Sequence, residues 1–233
     1  MHSNGKLSLV ATPIGNMEDI TLRAIRTLEE CDVVLCEDTR VTGKLLAHHG
    51  ITKSLRRYDA HTSEEAHSKI IAELETGTHF ALVSDAGTPG ISDPGVLLIN
   101  QAREAEVLIE AIPGPSAVTT AVSLAGISGN QFTFLGFAPQ KKGRETFFKS
   151  LGNRQEPAIF FESTHRIMKT LKSLSENSTL NRTIYVGREL TKMFEEMIIG
   201  TPKEVLEILE AEPVRQKGEF VVMVGPQEKE IGV

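Results

Sequence analysis

Residues 84–95 form the segment of this chain whose composition most clearly predicts a binding loop. They include two carboxylates, Asp85 and Asp93, among three glycines and two prolines. Glycine permits positive φ and proline fixes φ and lacks a donor, so the segment cannot be a regular helix or strand. It follows a strand-like run at 79–83 and is longer than a plain connection of roughly two to six residues. Because ligands of α/β proteins bind beyond the carboxyl ends of strands, we expect a ligand here.

Three more loops follow predicted strands and carry polar or turn-forming residues. They are residues 12–16 after a strand at 7–11, residues 37–40 after a strand at 32–36, and residues 113–117 after a strand at 107–112. If these strands are parallel, all four loops lie along one edge of the sheet. A simpler interpretation of Glu37, Asp38 and Arg40 is a local ion-pair cluster that caps the next helix, and the sequence leaves both open.

Several familiar kinds of site are missing from the sequence. It has no P-loop motif, no G-x-G-x-x-G after the first strand and no G-x-S-x-G, so a P-loop nucleotidase, a Rossmann dinucleotide site and a serine hydrolase are disfavoured. His48 and His49 are adjacent and point about 100° apart on a helix, so they cannot share a metal. We therefore predict no metal site. His61 and His165, in loops beside charged residues, are better candidates for a base, although an ordinary polar loop role is the simpler interpretation.

The elements that must position these loops alternate between strand and helix up to residue 112. That alternation predicts a parallel sheet covered by helices on both faces. Asp19 or Thr21 is the expected start of the first helix, Ser63 of the third, and Pro202 suits the first turn of the last. The second half mixes hairpins and helices, which predicts a mixed sheet. The fold class is therefore α/β, with two α/β domains at residues 1–113 and 114–233.

Bulk properties predict a soluble cytoplasmic protein. The chain of 233 residues has a net charge of −6, no apolar run of membrane-spanning length and no signal-peptide pattern at its start. The spacing of Cys31 and Cys36 matches neither a redox nor a zinc motif, so we expect reduced, buried thiols. An acidic chain has no overall electrostatic attraction for nucleic acid. The basic run at residues 141–154 is a solvated face or the one place where a polyanion could dock.

Seven ordered motifs resemble one known family. They begin with Ala-Thr-Pro-Ile-Gly-Asn at 11–16 and Cys-Glu-Asp-Thr-Arg at 36–40, and include residues 84–95, 113–117 and 187–192. With Phe-Glu-Ser at 161–163 and Gly-Glu-Phe at 218–220, they resemble the small-subunit ribosomal RNA methyltransferases of type I. That group is a branch of the tetrapyrrole methylase superfamily, the class III S-adenosylmethionine-dependent methyltransferases. The resemblance covers nearly the whole chain.

The resemblance implies a bilobal homodimer that binds S-adenosyl-L-methionine between its lobes, with no metal. It also implies 2′-O-methylation of a cytidine ribose in the decoding region of 16S ribosomal RNA, as naked RNA or within the 30S subunit. The residues that it assigns to the cofactor are Pro13, Gly15, Ser84, Asp85, Ala86, Gly87, Ser92, Asp93, Ser116, Ala117, Phe161, Glu219 and Phe220.

The reaction adds two hypotheses about side chains. A ribose hydroxyl is a poor nucleophile, so a base helps, and we expect Glu37, His61 or Glu189 to accept or relay its proton. Arginines and lysines should hold phosphates and form a local basic strip that dimerisation doubles. The predicted RNA-binding residues are Arg40, Arg56, Arg57, Lys141, Lys142, Arg144, Arg166 and Arg188.

Two other functions stay open from the sequence. One is a small-molecule methyltransferase of the same superfamily that acts on a tetrapyrrole. The other is a non-catalytic protein that senses the cofactor and binds RNA. Activity on a porphyrinoid would favour the first, and tight cofactor binding without turnover would favour the second.

Overall fold

The computed structural model describes residues 5–128, 130–177 and 180–227. The chain folds into two compact units, Met1–Ser116 and Ala117–Val233. The sequence places the domain boundary slightly earlier, at residues 113 and 114.

The N-terminal unit is built on a five-stranded parallel sheet of order β3-β2-β4-β1-β5. Its strands are β1 Lys6–Val10, β2 Val33–Cys36, β3 Ser54–Arg57, β4 His79–Val83 and β5 Leu108–Ile112. The helices between them are α1 Leu22–Glu30, α2 Thr39–His48, α3 Glu64–Glu75 and α4 Val96–Glu104. The parallel sheet predicted from the alternating pattern is therefore confirmed.

Two apolar cores cover the two faces of this sheet. Val34 and its neighbours pack against α1 and α2 on one face, whereas Leu35 and its neighbours pack against α3 and α4 on the other. Adjacent residues of a strand point to opposite faces, so a strand that is buried on both faces reads as a continuous apolar run. Cys31 and Cys36 lie in the first core as free, buried thiols, as the sequence predicts.

Side-chain caps begin the helices near the predicted positions. The hydroxyl of Thr21 accepts from the backbone N–H of Ala24 at 3.1 Å and begins α1. Ser63 accepts from Ala66 N at 3.3 Å and begins α3. Each cap satisfies one of the backbone donors that the first turn leaves without an intrahelical partner.

The C-terminal unit contains a mixed sheet of order β6-β7-β10-β8-β9. Its strands are β6 Thr133–Phe137, β7 Ala158–Ser163, β8 Ile184–Arg188, β9 Glu196–Gly200 and β10 Glu219–Val224. Only β6 and β7 are parallel, and the other neighbours are antiparallel. The helices are α5 Ala117–Ala125, α6 Arg144–Gly152, α7 Ile167–Ser175 and α8 Pro202–Ala211, the last with Pro202 in its first turn. The predicted mixed sheet is confirmed.

Helix α6 is not predicted from the sequence, in which residues 141–154 are interpreted only as a basic run. Phe148 and Leu151 are buried on one side of the helix, while Glu145 and Lys149 are exposed and form an ion pair of 2.6 Å. In the described part of the chain, no helix is both long and apolar enough to cross a membrane.

Candidate active site on the N-terminal unit

Four loops meet the carboxyl edge of the parallel sheet, because β1, β2, β4 and β5 all run in one direction. Two backbone hydrogen bonds join the loops after β1 and β4: Thr12 N donates to Gly87 O at 2.9 Å, and Gly87 N donates to Thr12 O at 3.0 Å. The Thr12 hydroxyl also donates to Ser84 O at 2.9 Å. The two loops therefore form one connected unit at this edge.

Hydrogen bonds and positive φ values give the loop at 84–95 its shape. The hydroxyl of Ser84, itself buried, donates to Asp93 Oδ2 at 2.5 Å and so ties the two ends of the loop together. Gly95 has a φ of +136°, and a Cβ there would lie 2.9 Å from Leu82 Cδ2, so only glycine fits. Ser92 also takes a positive φ, of 65°. Backbone strain of this kind is concentrated at functional sites.

A group of carboxylates lies at the same edge, and Glu37 is the most perturbed of them. The pKa of Glu37 is raised to about 7, mainly by burial and then by the negative charges of Asp93 and Asp85, while a hydrogen bond from the Asp85 backbone opposes the rise. Burial also raises the pKa of Asp93, although its hydrogen bond from Ser84 opposes this. A carboxyl group that titrates near neutral pH suits a general base, because both of its protonation states are accessible.

Because the pKa of Glu37 is raised, we predict that Glu37→Gln is thermally more stable than the wild type at high pH but not at low pH. The unfolded chain titrates at the ordinary pKa of 4.5 and the folded chain at about 7, so wild-type stability falls as pH rises from 4.5 to 7. Gln lacks this titration. The full shift would correspond to about 3 kcal/mol, but Glu37 is only partly buried, so we expect about 1 kcal/mol: the thermal midpoint of the variant should exceed that of the wild type by about 2–4 °C at pH 8 and match it at pH 4. The exposed Glu29→Gln should show no such dependence, and an equal gain at both pH values would contradict the assignment.

Asp38 and Arg40 adopt the simpler arrangement that the sequence left open. Asp38 Oδ1 accepts from Arg40 N at 2.8 Å and caps α2, and Arg40 Nη2 donates to Asp38 Oδ2 at 2.6 Å. These hydrogen bonds from Arg40 hold the pKa of Asp38 well below its usual range. Asp38 N in turn donates to Asp85 Oδ1 at 3.1 Å. The loop after β2 is thereby joined to the loop after β4, which holds Glu37 beside Asp85.

The other predicted residues of this unit differ in accessibility. In the loop after β1, Pro13 is buried and Gly15 is exposed. In the loop after β4, Ser84 is buried and Ala86 is exposed. His61 is exposed in a turn where its backbone N–H donates to Asp59 Oδ1 at 2.8 Å. Asp59 also raises the pKa of Glu37, a role that the sequence gave no reason to assign. Ser116 ends the unit and is partly buried.

The predicted residues of the C-terminal unit lie on β7, at the start of β10 and at the start of α5. Phe161 is half-buried on β7, and its partner across the sheet is Val221. Glu219 is exposed, whereas the ring of Phe220 packs in the core at 2% exposure. Because this ring is buried and the backbone of Phe220 pairs with β7 on one side and β8 on the other, the structure disfavours a direct contact between Phe220 and a ligand. Ala117 is the first residue of α5.

Glu189 is held in place by donors rather than left free to take up a proton. Its Oε1 accepts from Glu219 N at 2.9 Å and from Lys192 Nζ at 3.0 Å. Although burial raises the pKa of Glu189, these two donors lower it below the ordinary value. A carboxylate with a lowered pKa is a weak base, so the structure disfavours Glu189 as the proton acceptor.

Gly218 makes this arrangement possible, and its substitution should be costly. Its φ is +123°, and a Cβ there would lie 2.6 Å from Glu189 Cγ and 2.8 Å from Glu189 Cδ. We expect Gly218→Ala to lower the free energy of unfolding by about 2–3 kcal/mol, through backbone strain and displacement of the Glu189 side chain. Urea denaturation measures this. Gly126→Ala is the control, since its φ is also positive but a Cβ there meets nothing within 4 Å. Equal losses in the two variants would show that the Glu189 contact is unimportant.

Three of the predicted RNA-binding arginines are committed to internal partners. Arg144 is 8% exposed and donates to Pro139 O and to the Thr170 hydroxyl. Arg188 is also 8% exposed and donates to the backbone carbonyls of Lys217 and Phe194. Since neither guanidinium can reach a phosphate, we remove Arg144 and Arg188 from the predicted RNA-binding set. Arg166 is half-buried and pairs with Glu162.

The remaining basic residues of that set are more open. Arg56 is paired to Glu73 through two hydrogen bonds of 2.9 and 3.0 Å. Arg40 and Arg57 have side chains that are 87% and 74% exposed. Lys141 and Lys142 are exposed too, and neither forms an ion pair within the described part of the chain. Among the described residues, no group of three or more His, Cys, Asp or Glu side chains is arranged to hold a metal.

Comparison with known proteins identifies relatives over nearly the whole chain. The family model described as Tetrapyrrole (Corrin/Porphyrin) Methylases matches residues 6–206. A protein of Mesorhizobium japonicum named ribosomal RNA small subunit methyltransferase I is 45% identical over 95% of this chain and 76% of its own length. A Thermotoga maritima protein of the same name is 39% identical over 96% of this chain and 100% of its own length.

A solved structure supports the fold. The uroporphyrin-III C-methyl transferase of Thermus thermophilus, complexed with S-adenyl homocysteine, superposes with a TM-score of 0.66. The match covers 95% of this chain and 97% of that one at 17% identity. At that identity the similarity concerns the fold alone.

Proposed function

The chain belongs to the tetrapyrrole methylase family, and from this premise we propose that it methylates small-subunit ribosomal RNA with S-adenosyl-L-methionine as the methyl donor. The observation that carries the proposal is the carboxyl edge of the N-terminal sheet. There, a glycine-rich loop supplies backbone donors and acceptors, and Glu37 supplies a carboxyl group with a pKa of about 7. The names of relatives at 39–45% identity support the substrate class.

The finer proposal is 2′-O-methylation of a cytidine ribose in the decoding region of 16S ribosomal RNA. The ordered motifs of the chain support it, because they resemble the branch that acts on that ribose. A ribose hydroxyl must lose its proton as the new O–C bond forms, so a positioned base lowers the barrier. Of the two candidate carboxylates, Glu37 has a pKa raised to about 7, whereas the pKa of Glu189 is lowered. We propose Glu37 as the proton acceptor and the exposed His61 as a relay.

The loops of the N-terminal unit fit S-adenosyl-L-methionine. Gly87 has a φ of +85°, which L side chains rarely adopt, and it lies in van der Waals range of the loops after β1 and β5, since a Cβ there would be 3.4 Å from Ile14 Cγ2 and 3.7 Å from Pro115 O. When bound, the cofactor supplies a methyl group already activated on a sulfonium. The backbone of residues 84–87 and the Ser92–Asp93 pair would hold its polar groups, with Pro13, Gly15 and Ser116 beside them. Roles for Ala117, Phe161, Glu219 and Phe220 stay predictions.

RNA contacts are proposed for the exposed cations, Arg40, Arg57, Lys141 and Lys142. Their phosphate contacts would give an acidic chain a local attraction for RNA that weakens as salt is added. A homodimer would double this surface, and a cytoplasmic location is what a ribosomal substrate requires. Both remain proposals that follow from the family and the substrate.

The decisive experiment is methyl transfer from labelled S-adenosyl-L-methionine to 30S subunits that lack the modification, with the labelled nucleotide mapped. We expect label on the ribose of one cytidine, and free 16S RNA as a parallel substrate tests whether the assembled subunit is needed. Label on a base would overturn the 2′-O assignment alone. Cofactor binding without label on any RNA would overturn the substrate class, and activity on a porphyrinoid would then favour a tetrapyrrole methylase.

A further inference from the structure

A β-bulge in β6 gathers three phenylalanine rings. Phe134 pairs with Ile159 of β7 and Phe137 pairs with Phe161, so β6 has one more residue than β7 over this interval. Gly136, within the bulge, has a φ of +66°. In a regular strand, residues three apart face opposite sides of the sheet. The extra residue instead brings Phe134 and Phe137 against Phe161, with ring centroids 4.9 and 5.3 Å away.

The outermost of these rings is both fixed and accessible. Phe137 is 54% exposed, although a strand of the sheet holds its backbone and Phe161 packs against its ring. Bulges often redirect a side chain near a functional site. Because more than half of Phe137 is open to solvent, part of its ring surface is accessible, and unpaired nucleobases stack on accessible aromatic rings.

A basic loop follows Phe137, and two arginine side chains hold its first residues by hydrogen bonds. Arg166 Nη1 donates to Ala138 O at 2.9 Å, and Arg144 Nη1 donates to Pro139 O at 3.1 Å. Through these two hydrogen bonds, Arg144 and Arg166 fix the start of the loop that carries the exposed Lys141 and Lys142. An aromatic face beside exposed cations is the pattern by which proteins bind single-stranded nucleic acid.

We propose that Phe137 stacks against an unpaired base of the RNA substrate while Lys141 and Lys142 contact the neighbouring phosphates. The inference rests on the proposed function and deepens it, because it assigns a place for the substrate on the C-terminal unit. Single-stranded or loop RNA is favoured over duplex RNA, since only an unpaired base exposes its face. The cofactor also carries a base, its adenine, and the test distinguishes the two.

The test compares Phe137→Ala with Phe137→Tyr and Phe137→Trp. We expect the alanine variant to raise the KM for 30S subunits by about 5- to 150-fold, the range that corresponds to loss of one stacked aromatic residue. Its calorimetric Kd for S-adenosyl-L-methionine should stay within twofold of the wild type, and Tyr or Trp should restore most of the RNA affinity. Phe194→Ala is the matched control, because Phe194 is 65% exposed in the same unit but lies next to Glu195.

Each contrary outcome has a separate meaning. An unchanged KM in Phe137→Ala, or an equal loss in Phe194→Ala, would overturn the stacking assignment while leaving the proposed function intact. A weaker Kd for S-adenosyl-L-methionine with an unchanged KM for the subunit would assign the ring to the adenine instead. A wild-type enzyme that methylates no ribosomal RNA would overturn the proposed function, and this inference with it.

Discussion

Replacing Glu162 by Gln is expected to lower the free energy of unfolding by about 3–5 kcal/mol, the usual cost of breaking a buried ion pair from one side. The Glu162 side chain is fully buried at the end of β7. It accepts from the Thr170 hydroxyl at 2.6 Å and from Ser163 N at 2.8 Å, and it forms an ion pair with Arg166, whose Nε lies 2.9 Å from Glu162 Oε1. Its loss would leave Arg144, whose side chain is 9% exposed, without a balancing charge.

Urea denaturation of Glu162→Gln and of a control, Glu145→Gln, tests this expectation. Glu145 forms an ion pair of 2.6 Å with Lys149, but both side chains are more than 70% exposed. Such surface pairs contribute about 0.5 kcal/mol or less. A loss below 1 kcal/mol in Glu162→Gln would show that the buried cluster is not needed for stability. The double variant Arg144→Met/Glu162→Leu should lose less free energy of unfolding than the sum of the losses in its two single variants, because it leaves less unbalanced charge in the core.

The buried cluster also connects stability to the proposed RNA surface. Arg144 and Arg166 reach the loop after β6 through Pro139 O and Ala138 O. A Glu162→Gln protein that still folds should hold that loop less firmly. Its KM for 30S subunits should therefore rise together with its loss of stability.

The loops of the N-terminal unit could be predicted because local residue types fix them. Glycines and prolines exclude regular structure from residues 84–95, and buried apolar runs identify the strands on either side. Parallel strands then bring the loop ends to one edge without further information. Caps such as Ser63 are equally local, since a hydroxyl accepts from an N–H three residues later.

The roles of individual charges could not be predicted, because they depend on distant neighbours. Arg144 looks like part of a solvated basic run, and only the buried Glu162 from another element explains its burial. Glu37 and Asp38 are adjacent acids, yet the first has a raised pKa and the second a lowered one, since Asp38 alone receives hydrogen bonds from Arg40. The bulge in β6 has no clear sequence signal beyond Gly136, so the grouping of three phenylalanines was also unpredictable.

Replacing Glu37 by Gln is expected to lower kcat for methyl transfer by about 10²- to 10⁴-fold, the range attributed to a positioned general base. Gln keeps the size of the side chain but cannot take up a proton at neutral pH. The calorimetric Kd for S-adenosyl-L-methionine should stay near the wild-type value. Asp38→Asn is the matched control, because this neighbouring carboxylate caps α2 rather than titrating near pH 7.

The dependence of kcat on pH gives the sharper form of this test. A base must be ionised to act, so wild-type kcat should rise with pH through about 7 and then level off. Asp93→Asn removes a negative charge that raises the pKa of Glu37, so at saturating cofactor the inflection should move to lower pH. Glu37→Gln should lose the inflection altogether, and Asp38→Asn should keep it. If Glu37→Gln retains both the rate and the inflection, the proton leaves through another group, and His61→Ala becomes the variant that decides, because the donors to Glu189 make that carboxylate the weaker base.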